Sequence, residues 1–227
     1  MTFPELVSSL FEGLGITALL FAVTLIFALP LGLLIALGAM SKFKPLKYFI
    51  NGLIWVIRGT PLMLQILLIS LLPRMVFGIL NKEIYTFFGI SSNSLNFLFV
   101  ALAFILNYAC YFAVIYRGGI ESISKGQTEA GLVLGMKKKQ IFFHVTLLQV
   151  IKRITPPMSN EIITLVKDTS LAQILGVIDL LNAANLSVNA MANLMPLLYA
   201  AIFYLVFNGL LSLLFGYVEK KLSFYKE

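Results

Sequence analysis

Arg58, Glu161, Lys167 and Asp168 are charged residues set inside stretches of the chain that are otherwise apolar. A charge at mid-bilayer costs about 2.5–3.5 kcal/mol on insertion scales, so such residues turn towards protein or water and mark function. Their formal charges sum to zero, which lets them neutralise one another across helices. The chemistry on offer is recognition. A guanidinium grips a carboxylate through a fork of donors, and a carboxylate holds an ammonium. Catalysis is poorly provided for. His144 is the only histidine, and neither Gly-x-Ser-x-Gly nor His-Glu-x-x-His occurs. Cys110 is the only cysteine, which rules out an intrachain disulfide and a cysteine-based metal cluster. No catalytic residue and no metal site is expected.

Helical geometry groups these residues. At about 100° per residue, with Asn160 set to zero, Lys167 falls near −20°, Thr164 near 40°, Asp168 near 80° and Glu161 near 100°. Five polar residues thus share an arc of about 120°, with Ile162, Ile163 and Val166 on the other side. Polar inward and apolar outward is the pattern of a helix lining a wet cavity. Arg58 and Gln65, seven apart, also share a face, and between them Gly59-Thr60-Pro61 predicts a break or kink because Pro61 has no N–H to donate. A broken helix at membrane depth frees backbone groups for a polar ligand. Arg58, Thr60, Gln65, Asn160, Glu161, Thr164, Lys167 and Asp168 are therefore the candidate substrate-binding residues. A purely structural ion-pair network is the competing reading of the charges.

The elements that carry them are membrane helices. Of the 227 residues, 59% are hydrophobic and 12% charged, with a mean hydropathy of +0.94. Soluble domains average about 45–50% apolar and about 25% charged. A span needs about 20 mainly apolar residues. Segments about 14–40, 48–72, 94–116 and 193–217 satisfy this readily, and about 157–181 does so around its charges. The first is too long for a signal-peptide core and has no Lys or Arg before it, so it is expected to be retained. On it Thr17 and Thr24 share a face, and Gly32 and Ala36 form a small-xxx-small pair, both readable as helix packing. Asp179 is expected to be solvated near an outer end.

Loop charges orient the bundle. Lys42, Lys44 and Lys47, then Arg117, Lys125, Lys137, Lys138, Lys139, Lys152 and Arg153, then Lys220, Lys221 and Lys226 make thirteen basic residues on one side. Only Arg74 and Lys82 fall on the other. Cytoplasmic loops collect Lys and Arg, so the N-terminus is expected outside and the C-terminus in the cytoplasm. The net charge of +7 then reports orientation and calls for no nucleic acid partner.

The basic segment 117–155 has structure of its own. Ser124-Lys125-Gly126-Gln127 fits a capping box, Thr128 to Leu134 reads as a short helix, and Gly135 supplies a stop. A folded cytoplasmic helix-turn-helix between spans three and four is a docking element.

With these residues in view, the chain resembles the membrane permease subunit of a bacterial ATP-binding-cassette (ABC) importer of the polar amino acid type. Three stretches carry the likeness: Arg58-Gly59-Thr60-Pro61-Leu62 with Gln65; Tyr116-Arg117-Gly118-Gly119-Ile120-Glu121-Ser122-Ile123, Gly126-Gln127, Glu129-Ala130-Gly131 and Gly135-Met136; and Pro156-Pro157, Asn160-Glu161 and Leu165 to Leu171. They cover about 58–171, and the five-span pattern extends the resemblance over the chain. It implies an all-α integral membrane fold, a single transmembrane permease domain over 1–227, in the bacterial cytoplasmic membrane. It also implies a cytoplasmic coupling helix, with Glu121, Gln127, Glu129, Ala130, Gly131, Gly135 and Met136 as the ATPase-coupling residues. Gly131 stands where the family has alanine, which is expected to loosen that helix by about 1 kcal/mol, and Leu148 stands at a later proline position.

The resemblance implies transport of a polar L-amino acid by ATP-driven alternating access. The chain has no Gly-x4-Gly-Lys-[Ser/Thr] phosphate loop, so it is expected to bind no cofactor, with ATP handled by a separate ATP-binding subunit. An extracytoplasmic binding protein and a second permease subunit, identical or paralogous, complete the expected assembly. A permease for another solute such as an osmolyte, or a secondary transporter or channel, are the alternatives.

Overall fold

Helices account for nearly all of the computed structural model, which describes residues 2–222; no strand occurs among them. Lys226 of the basic tail lies outside the described residues. Helix α1 runs Phe3–Ala39, α2 Lys44–Gly59, α3 Leu62–Phe77, α4 Asn81–Phe88 and α5 Ser92–Glu121. The short α6 (Lys125–Val133) and α7 (Lys138–Ile141) follow. A π-helical turn, Phe142–Thr146, leads into α8 (Leu147–Asp168), which passes into a 3-10 segment, Thr169–Leu175; α9 (Leu180–Met191) and α10 (Met195–Leu222) complete the chain.

Three helices, α1, α5 and α10, are each long and apolar enough to cross a membrane. The count reaches five if two bent pairs are taken as spans: α2 with α3, bent by 112°, and the run from α7 through Leu175 with α9, bent by 55°. The break at Gly59-Thr60-Pro61 is thus present, and it turns the chain through somewhat more than a right angle, larger than a kink. Residues 182–192, which lie between the last two expected spans, are mostly helix α9.

In α1 polarity cannot choose the buried side, because the helix is apolar all round. Size chooses it. Gly13, Ala28, Gly32, Ala36 and Ala39 face protein, while Phe11, Ile26, Phe27 and Leu34 face outward. A Cβ on Gly32 would lie 2.9 Å from the Ala109 carbonyl oxygen and 2.9 Å from Phe112 Cβ, so glycine is what lets α1 meet α5 backbone to backbone. The two threonines of the stripe are both buried there, as packing positions. Thr17 Oγ1 accepts the N–H of Leu180 at 3.1 Å.

Asp179 is not solvated. It is fully buried and caps α9, accepting the N–H of Asn182 at 3.1 Å and of Leu181 at 3.2 Å, while the Tyr204 hydroxyl donates to it at 3.3 Å. The four orphan amides that open any helix need acceptors, and a buried helix start finds them in side chains.

The segment between α5 and α8 folds as a helix-turn-helix. Ser124 Oγ accepts the N–H of Gly126 at 3.3 Å, and the stop at Gly135 has φ +74°, the left-handed value that favours glycine. The reciprocal arm of the capping box is not made. The Gln127 side chain instead accepts from Gln149 Nε2 at 3.4 Å, joining α6 to α8.

Candidate functional site

The break between α2 and α3 opens a cavity of about 460 Å³, within the range of pockets for small ligands (about 300–1,000 Å³). Its walls come from three regions. The α2–α3 break contributes Arg58 through Leu62; α5 contributes Asn107, Tyr108 and Tyr111; α8 and the 3-10 segment contribute Glu161, Thr164, Asp168 and Leu171. Glu161, Thr164 and Asp168 stand at i, i+3 and i+7, and one face of a helix brings just such positions together.

The chemistry is divided between the walls. Arg58 lays its guanidinium over the Tyr111 ring, with Cζ 4.9 Å from the centroid, a cation–π arrangement. The two cavity carboxylates lie on α8, and Tyr108 donates its hydroxyl proton to Asp168 Oδ2 at 2.7 Å. One wall thus offers a fork of N–H donors and the other offers acceptors, with Thr164 between them. Such an arrangement can pair with a small ligand bearing groups of both signs.

Gln65 builds this site without lining it. It is buried at 6% exposure. Its Nε2 donates to the Ile57 carbonyl at 2.7 Å, the Thr60 carbonyl at 3.0 Å and Thr60 Oγ1 at 2.9 Å. Its Oε1 accepts from Asn107 Nδ2 at 3.0 Å. Thr60 Oγ1 in turn donates to the Val56 carbonyl at 2.9 Å. The carboxamide therefore stitches the carbonyls stranded by Pro61 and ties the break to α5.

Of the eight residues singled out from sequence, the structure brings Arg58, Thr60, Glu161, Thr164 and Asp168 to the cavity, with Gln65 directly behind it. Asn160 and Lys167 do not line it; they are exposed on the flank of α8. The polar arc facing the cavity is accordingly about 60° wide, half the width drawn from the sequence. The opposite face of α8 is not outward either. Ile162 and Val166 are buried, so that side packs into the bundle. Asn107, Tyr108 and Tyr111 were not anticipated, although their positions fall within about 100° of one another on α5 and the signal was present.

The coupling residues separate too. Glu121 ends α5 and pairs with Arg117 at 4.0 Å. Gln127, Glu129 and Ala130 are exposed on α6, Gly131 is buried, and Gly135 and Met136 form the stop. The N–H of Met136 reaches the Gly131 carbonyl at 3.0 Å and that of Gly135 reaches Leu132 at 2.9 Å, a Schellman motif. Arg153 Nη1 donates to the Ser122 carbonyl at 2.5 Å and closes the base of the hairpin.

A bundle of apolar helices with a polar cavity at a broken helix is the architecture of a membrane permease. The family model for binding-protein-dependent transport system inner membrane components matches residues 28–224. Over 224 residues the chain is 33% identical to the arginine transport system permease protein of Bacillus subtilis, covering 98% of this chain and 95% of that one. It is 31% identical over 212 residues to a putative glutamine transport system permease protein of Rickettsia conorii, covering 93% and 91%. It is 34% identical over 215 residues to the L-cystine transport system permease protein of B. subtilis, covering 94% and 86%. Among solved structures, an amino acid ABC transporter crystallised with histidines matches at TM-score 0.79 and 30% identity, covering 97% of this chain and 99% of that one. The methionine transporter MetNI, at TM-score 0.67 and 16% identity over 98% of this chain and 100% of its own, shares the fold. The chain belongs to the family of inner membrane components of binding-protein-dependent transport systems. It is a multi-pass transport subunit of the bacterial inner membrane.

Proposed function

We propose that this permease carries a polar L-amino acid into the cell by ATP-driven alternating access. The observation that carries the reading is the cavity itself, with Arg58 on one wall and Glu161 and Asp168 on the other. An amino acid presents an α-carboxylate and an α-ammonium a few ångströms apart, and such a pocket needs donors and acceptors at close range. Arg58, with the amides freed near Gly59 and Thr60, takes the carboxylate. Glu161 takes the ammonium, Thr164 orients the ligand, and Asp168 anchors the far end of the site through Tyr108. Asn160 and Lys167, which lie off the cavity, are assigned no ligand contact. The named relatives, permeases for glutamine, arginine and cystine, favour an amino acid over an osmolyte.

Taking each bent helix pair as one span makes five spans, and the loop charges favour the N-terminus outside and the C-terminus in the cytoplasm. That orientation puts α6 and α7 in the cytoplasm, where they meet a separate ATP-binding subunit. The chain itself holds no cofactor. A binding protein delivers substrate from outside, and a second permease subunit completes the membrane path.

Reconstitution with the ATP-binding subunit in liposomes, with labelled amino acid uptake measured with and without ATP, tests this. Uptake indifferent to ATP overturns the importer reading. Glu161→Gln removes the charge and keeps the shape; it should weaken uptake while assembly persists, and normal uptake would remove Glu161 from the site.

A further inference from the structure

Gly131 sits in the last turn of α6, where a glycine weakens the helix relative to alanine. The surroundings explain the choice. Gly131 is buried, and Ile141, the last residue of α7, is 2% exposed. A Cβ on Gly131 would stand 2.7 Å from Ile141 Cγ1 and 2.9 Å from Ile141 Cδ1. Ile141 therefore occupies the space that an alanine methyl would take. It has little freedom to yield, since a β-branched side chain in a helix has one strongly preferred χ1 and this one is enclosed. The glycine admits the isoleucine that packs between α6 and α7.

The same residue bears on the tip of α6. The Gly131 carbonyl receives the N–H of Met136, so the stop of the helix and the seat of Ile141 share one residue. Immediately beyond, Val133 and Leu134 are 88% and 80% exposed. Two apolar side chains projecting from a short helix are poorly placed in water, and their direction is set by how α6 lies on α7.

We infer that Ile141, seated in the notch left by Gly131, is the positioning residue that aims the Val133–Leu134 tip at the ATP-binding subunit. This rests on the reading of α6 as the coupling element. A methyl at 131 forces α6 off α7 and misdirects the tip although the helix itself becomes a better helix. Removing the bulk of Ile141 restores room for that methyl.

The test uses the full permease with its ATP-binding subunit in liposomes. Gly131→Ala should lower ATP-driven uptake at least fivefold while the permease melts in detergent as the wild type does. The double variant Gly131→Ala with Ile141→Ala should return to within twofold of wild type. Wild-type uptake by Gly131→Ala, or a double variant no better than it, overturns the inference. Should Gly131→Ala fail to reach the membrane, Ile141→Ala alone decides, because it empties the notch without adding an atom. It should reduce ATP-driven uptake at least threefold, with Ile141→Val near normal, and unchanged uptake in Ile141→Ala is contrary. Failure of the underlying reading looks different: the wild type then takes up substrate without ATP, or Val133→Asp with Leu134→Asp leaves the ATP-binding subunit bound as before.

Discussion

Replacing Gln65 by leucine removes a buried carboxamide at near-constant volume, and the structure states what is lost. Two amide protons serve three acceptors, on Ile57 and Thr60, and one oxygen accepts from Asn107, which amounts to three hydrogen bonds. Interhelical hydrogen bonds in bilayer proteins average about 0.6 kcal/mol each, so the loss is about 2 kcal/mol, or roughly a 30-fold shift in the population of the ordered break. Because Gln65 braces the backbone at Ile57 and Thr60, on either side of Arg58, and does not line the cavity, the loss falls on substrate affinity through geometry. Reconstituted uptake should show KM raised by one to one and a half decades for every amino acid carried, in parallel, with a lower melting temperature in detergent. A ligand-contacting glutamine would instead change the ranking among substrates. An unaltered melting temperature with a KM change confined to one substrate would refute the brace.

Other expectations follow from single contacts. Arg58→Lys keeps the charge but gives up the planar contact with Tyr111; a loss of about 1 kcal/mol should raise KM about fivefold, and Tyr111→Leu should reproduce it while Tyr111→Phe does not. Gly32→Val pushes carbon against the Ala109 carbonyl and Phe112 and should cost about 1–3 kcal/mol, read as a lower detergent melting temperature. The two threonines of α1 should behave oppositely. Thr17→Val strands the buried N–H of Leu180 and costs about 1–3 kcal/mol, whereas Thr24→Val removes a buried hydroxyl that has no hydrogen-bond partner among the described residues and should be neutral or stabilising in the same melt.

The membrane character and the helix break were legible because each has a local cause. Composition decides the first, and Pro61 after Gly59 and Thr60 decides the second. What the break does was not legible: a missing N–H ends a helix but leaves the new direction open, and the 112° turn is accompanied by a hydrogen bond between Asn107 and Gln65, 42 residues apart in sequence. The site was visible on α8 and hidden on α5. Ionisable residues announce themselves against an apolar background. Asn107 is neutral, and Tyr108 and Tyr111 count among hydrophobic residues, although the Tyr108 hydroxyl reaches Asp168 and the Tyr111 ring receives Arg58.

Helix α8 presents one polar side that its neighbours divide into two parts. Periodicity places Asn160, Glu161, Thr164, Lys167 and Asp168 on one side of α8 because all five obey the same 100° step. It carries no information on which neighbouring helix covers which part of that side. Tyr108 from α5 meets Asp168 towards one side of the arc, and Lys167 at the other edge is exposed. The two carboxylates and the lysine are equivalent by spacing and by hydropathy. Tertiary packing separates them, so the neutral sum of the four charges does not describe the cavity. With Lys167 outside it, Arg58 faces two carboxylates, and the excess acceptor is held by the Tyr108 hydroxyl, a neutral partner that a count of charges never includes.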